Sequence, residues 1–136
     1  MRWSTRSGSR SVAEIIRQRR RDRDALLALA ERYVKALAER IPVVAAAVAG
    51  SVARGDFNVW SDVDVVIVAR GLPQRLPDSG AALAVGAPSG VQAVGFLPEE
   101  FESAWRKGNA LVREAVERGV VLMGDDYIRG VRRQER

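Results

Sequence analysis

Apolar residues recur at helical spacing along the first third of the chain: Val12, Ile15, Ile16, Leu26, Leu27, Ala30, Tyr33, Val34, Leu37 and Ala38. Ser11 stands three residues before Glu14. That spacing is a capping box, in which each side chain satisfies the other residue's backbone N–H at a helix start. The charged run Arg17 to Arg23 sets Arg19 and Arg23 on the apolar side of the stripe. The pattern therefore allows one long helix, or two with the second opening near Asp24. Pro42 closes it, because proline lacks the N–H and fixes φ.

The period then changes. Val43 to Ala49 is a short, partly β-branched apolar run, read as a buried strand. Residues 50–61 read as a loop, or a loop with one helical turn. Val63 to Val68 is a second strand, with Asp62 and Asp64 on one face at its start and Val65 and Ile67 on the other. Arg70 to Gly90 is rich in proline and glycine and holds a small helix candidate from Asp78 to Val85. Val91 to Phe96 reads as a third strand. Pro98 suits the first helical position, and Glu99, Glu100 and Glu102 in the turn after it favour the helix dipole. A further helix from Asn109 to Glu117 stops at Gly119, and Val120 to Met123 is a short apolar segment.

That order predicts an α/β (α+β) fold, a small mixed central sheet flanked by helices. It is expected as a single domain over residues 11–128, with a flexible basic lead-in at 1–10 and a basic tail at 129–136. No internal repeat is visible.

Composition narrows the chemistry. The chain has 136 residues, 47% of them hydrophobic, enough to bury a core. It has no cysteine and no histidine, so thiolate and imidazole ligands and a histidine base are excluded. A bound metal must be held by oxygen, which points to Mg²⁺ or Mn²⁺. No stretch approaches the roughly 20 apolar residues of a membrane span, and the basic N-terminus lacks a signal peptide's apolar centre. No membrane partner is expected, and a cytoplasmic location is the default. Residues 1–40 carry eleven Arg/Lys against five Asp/Glu, a net of +6, while the remainder carries eleven against twelve, a net of −1. Such a helix suits an acidic partner or RNA, or is simply a solvated face.

Two short motifs carry the chemistry. Gly50 directly follows a buried strand, where glycine lets the backbone turn and approach a ligand closely. Ser51 adds a hydroxyl and an N–H, suited to phosphate oxygens, and Arg54 is a bidentate donor one turn on. A Gly-Ser pair alone is an ordinary turn. Asp62 and Asp64, two apart in a strand, project from one face and repel each other unless a cation lies between them. An isolated Asp-x-Asp is most often a solvated edge. Here Val63 and the run Val65 to Val68 mark a buried strand, so acids at its mouth need a reason.

Together the motifs are far more specific. Ala49-Gly50-Ser51, ten residues, then Asp62-Val63-Asp64-Val65 resembles the signature of the DNA polymerase β-like nucleotidyltransferase superfamily. The string GSVARGDFNVWSDVDVVIV and the tail PEEFESAWRKGNALVREAVERGVVLMGD are similar to its small prokaryotic members, the minimal nucleotidyltransferases. The resemblance implies metal-dependent transfer of a nucleoside monophosphate from ATP or another NTP. It implies that Gly50 and Ser51 hold the triphosphate and that Asp62 and Asp64 hold Mg²⁺. The minimal nucleotidyltransferases are commonly paired with HEPN-domain toxins, so the implied acceptor is a hydroxyl on such a toxin's tyrosine or at an RNA end. Oligomeric state is not written in the sequence, though small domains of this kind often form homo-oligomers.

One position departs from the family pattern. A third carboxylate usually lies on a later strand, and counting back from Pro98 places it at Gln92. A glutamine amide oxygen is a weak, uncharged ligand and cannot take a proton. Asp56 or Glu99 compensates only if the fold brings it close. Two functions follow: an active transferase, or an impaired member acting as an antitoxin or nucleotide-binding module. A free-standing RNA-binding protein is the weaker third, since no aromatic residues cluster with the arginines.

Overall fold

The computed structural model describes residues 10–57, 62–72 and 87–134. The helix candidate at Asp78 to Val85 lies outside the described residues. In chain order the elements are α1 (Val12–Ala38), β1 (Val43–Ala49), α2 (Gly50–Arg54), β2 (Val63–Ala69), β3 (Val91–Phe96), α3 (Pro98–Arg106), α4 (Ala110–Arg118), β4 (Val120–Met123) and α5 (Asp125–Arg132).

The long N-terminal stripe resolves into one unbroken helix. Ser11 Oγ accepts from the Glu14 N–H at 3.1 Å, and Glu14 Oε1 accepts from the Ser11 N–H at 2.9 Å, the reciprocal cap expected from their spacing. The two arginines on the apolar side do not break the helix. Arg23 crosses to the carbonyls of Val52 and Ala53 in α2, and Arg19 to those of Gly55 and Phe57 just beyond it, so both guanidinium heads find acceptors.

The strands form a four-stranded sheet in the order β3-β2-β1-β4. β1 is antiparallel to both β2 and β4, while β3 runs parallel to β2. The mixed sheet expected from the sequence is therefore present. The apolar segment Val120 to Met123 becomes its fourth strand, and a helix not anticipated from the sequence, α5, follows it. Gly124 makes the turn between them with φ +75°, packed so closely on the backbone of Val44 and Ala45 that a Cβ would collide with both.

β1 and β2 occupy the centre and are buried on both faces, which explains their near-continuous apolar runs. On one face Ala46, Val48, Val63, Val65 and Ile67 pack with Ala30, Tyr33, Val34 and Leu37 of α1. On the other Ala45, Ala47, Val66 and Val68 pack with Phe101, Trp105, Val112, Val116 and Ile128 from α3, α4 and α5. Each fully buried aliphatic side chain contributes roughly 1.5–3 kcal/mol, so the two layers fix strand register firmly. Val131, near the end of α5, belongs to the second layer. Among the described residues no helix is long and apolar enough to cross a membrane.

Candidate active site

Register decides what meets at the mouth of β2. Asp62, Asp64, Val66 and Val68 alternate onto one face of the sheet, where Val66 and Val68 pack under α3, α4 and α5 and the two acids lie at the strand's mouth. The parallel pairing sets Gln92 of β3 directly beside Asp64, and the antiparallel pairing sets Ala49 of β1 on its other side. Gly50 then turns the chain into α2 with φ +74°, and its backbone lies so close to Asp64 that a Cβ would overlap the Asp64 Oδ2 atom. The strand-to-loop glycine and the second acid are thus in contact.

Gln92 completes the cluster by donating from Nε2 to Asp62 Oδ2 at 3.1 Å. Asp62 and Gln92 are exposed and Asp64 is half-buried. Burial pushes the Asp64 carboxyl above its ordinary range; the charges of Asp62 and Glu114 push the same way, and Arg54 opposes them. Among the described residues no three Asp, Glu, His or Cys side chains converge as a metal-holding group. Two carboxylates and one amide do converge. Hard oxygen donors carrying uncompensated negative charge fit a magnesium-like cation, which Asp62 and Asp64 would hold. Turning the Gln92 amide over would present its Oε1 as a neutral third donor.

Residues 50–57, which follow β1, are pinned from two sides. From α1, Arg23 donates to the Val52 and Ala53 carbonyls at 3.0 and 3.2 Å. Arg19 donates to the Gly55 and Phe57 carbonyls at 3.0 and 2.7 Å, and its guanidinium lies 4.6 Å from the centre of the Phe57 ring. From α4, Glu114 accepts from Arg54 Nη1 at 2.6 Å and from the Gly50 N–H at 3.3 Å. Arg54 Nε also donates to Asp56 Oδ2 at 3.2 Å.

Each residue singled out in the sequence now has a place. Gly50, Asp62, Asp64 and Gln92 come together. Ser51 and Arg54 lie on α2 beside them, with Arg54 engaged by two carboxylates. Asp56 is exposed and serves as one of those partners. Glu99 opens α3 past the opposite end of β3 from Gln92, away from the acid pair. Glu114, Arg19 and Arg23 were not identified from the sequence as parts of this neighbourhood. Glu114 pairs across a separation of 60 residues, and in the sequence it is one more polar position on an amphipathic helix. Arg19 and Arg23 did leave a trace, as charges on the apolar side of a stripe.

Residues 30–122 match the model of the nucleotidyltransferase domain family. The chain belongs to that family. A crystal structure of a proposed nucleotidyltransferase from Sulfolobus solfataricus shares the fold, with a TM-score of 0.59 at 20% identity over 84% of this chain and 88% of that one. No curated protein matches the chain. The matched span takes in α2, both strands of the acid cluster, and Glu114. As a nucleotidyltransferase the protein is a transferase of nucleotidyl groups, in a family that generally uses a divalent metal and a nucleoside triphosphate.

Proposed function

We propose that this nucleotidyltransferase moves a nucleoside monophosphate, AMP from ATP, onto a hydroxyl of a protein or an RNA. The observation that supports this reading is the convergence of Asp62, Asp64 and Gln92 against the Gly50 turn. The Gly50 N–H, the Ser51 hydroxyl and the Arg54 guanidinium, all on α2 next to it, would serve as donors for phosphate oxygens. In the reaction the acceptor oxygen attacks the α-phosphorus and gives up its proton to solvent. The bond from that phosphorus to the bridging oxygen breaks, and diphosphate leaves. Asp62 and Asp64 would hold Mg²⁺ or Mn²⁺, which when bound would neutralise charge on the triphosphate and the leaving group. The resemblance to minimal nucleotidyltransferases favours a tyrosine of a HEPN-type toxin as acceptor.

Gln92 sets the rate in this reading. Its amide cannot accept the acceptor's proton, and the N–H it gives Asp62 competes with a cation for that carboxylate. The same contact supports a second reading, a binding module that holds nucleotide and partner without turnover. The two separate in one experiment. The protein is incubated with α-labelled ATP, Mg²⁺ or Mn²⁺, and protein and RNA acceptors from cell extract. Slow labelling, lost in Asp64→Ala and accelerated in Gln92→Asp, is the expected result. ATP binding without label in wild type and in Gln92→Asp would overturn the transferase reading in favour of the module.

A further inference from the structure

Glu114 lies on α4, yet both of its carboxylate oxygens are turned onto α2, the short helix that follows β1. Oε2 accepts from Arg54 Nη1 at 2.6 Å, and Oε1 accepts from the Gly50 N–H at 3.3 Å. Its side chain keeps 23% of its accessible surface, so it sits at the mouth of the site rather than in the core. An amide N–H and a guanidinium spread across two oxygens of one anion is also how a phosphate group is held.

The contact to Arg54 alone would suit an acid that orients an arginine toward substrate. Two features argue otherwise. Asp56 already holds Arg54 through Nε at 3.2 Å, so orientation does not require Glu114. The bond to the Gly50 N–H also consumes a donor that an orienting acid would leave open.

We infer that Glu114 competes with the nucleotide's phosphates for the Gly50 N–H and the Arg54 guanidinium. It occupies them in the empty protein and is displaced when a triphosphate binds. The inference rests on the nucleotide reading of Gly50 and Arg54 given above. Displacement exchanges one charge-assisted contact for another, so nucleotide affinity is set below what the donors could deliver. The barrier falls on ligands with a phosphate chain and spares a bare nucleoside.

Calorimetric titration of the full chain with Mg²⁺-ATP, inorganic tripolyphosphate and adenosine tests this. Glu114→Ala is expected to bind ATP and tripolyphosphate roughly tenfold tighter than wild type, the equivalent of one charged hydrogen bond. Glu114→Gln, which keeps the shape and guards against a folding defect, should gain in the same direction by less. Adenosine affinity should not change, and Arg54→Ala added to Glu114→Ala should cancel the gain. Unchanged or weaker ATP binding in both Glu114 variants, with wild type binding normally, would overturn the competition and leave the nucleotide site standing. No binding of ATP or tripolyphosphate by wild type or either variant would overturn the nucleotide reading, and the competition with it.

Discussion

The Gly50 backbone is packed against the Asp64 carboxylate so closely that no side chain fits at position 50, which also has φ +74°. One contact therefore fixes both the direction of the loop and the placement of the more buried acid. Gly50→Ala should cost about 1–2 kcal/mol in backbone strain alone and displace Asp64 as well. Chemical denaturation should show that loss, and the variant should not respond to Mg²⁺ in a thermal melt. A variant as stable and as metal-responsive as wild type would show the contact to be incidental.

Asp64 carries a carboxyl whose ionised form is disfavoured by burial and by the charges of Asp62 and Glu114. Removing that charge should stabilise the metal-free protein. Asp64→Asn is expected to melt above wild type in EDTA at neutral pH, and Mg²⁺ should narrow or reverse the gap by stabilising wild type alone. A lower melting temperature for Asp64→Asn in EDTA would contradict this account of the acid pair.

Arg23 ties α1 to α2 through two carbonyls. Arg23→Ala should lower stability by about 1–3 kcal/mol, the range for a lost charged hydrogen bond to a part-buried group. It should also weaken Mg²⁺-ATP binding, because Gly50, Ser51 and Arg54, the phosphate donors of the proposed reaction, sit on the element it holds. Denaturant titration and calorimetry on the same preparation check both. A stability loss with unaltered nucleotide affinity would restrict Arg23 to a structural role.

Tyr127 donates from its hydroxyl to Glu102 at 2.8 Å, and burial, followed by that bond and the Glu102 charge, pushes its ionisation well above the usual tyrosine range. The unfolded chain releases this proton from about pH 10, while the folded chain retains it. Folding therefore binds a proton there, and stability contributed by Tyr127 is full below pH 10 and declines as pH rises beyond it. Tyr127→Phe should flatten the fall of melting temperature between about pH 9.5 and pH 11.5. Parallel curves for the two proteins would exclude Tyr127 as a source of alkaline sensitivity.

The elements with strong local signals were legible in the sequence. The Ser11–Glu14 cap, the helical stripe to Ala38, the stop at Pro42, the apolar runs of β1 to β3 and the Asn109 to Gly119 helix all depend on side-chain period and on glycine or proline chemistry. β4 was visible only as an apolar segment, since a four-residue run has too little period to name its state. α5 was missed because it is short and opens after a positive-φ glycine without a capping side chain.

By itself the sequence determined the oxygen-only ligand set, the Gly50-Ser51 and Asp62-Val63-Asp64 motif, and the amide at position 92. These are matters of residue identity and local spacing. Only the tertiary structure decided that β3 runs parallel to β2 in the register that puts Gln92 beside Asp64. It alone brought Arg19 and Arg23 to the loop carbonyls and Glu114 to Gly50 and Arg54. Such contacts arise where strand register and helix packing bring distant segments together, and no local period encodes which side chains then meet.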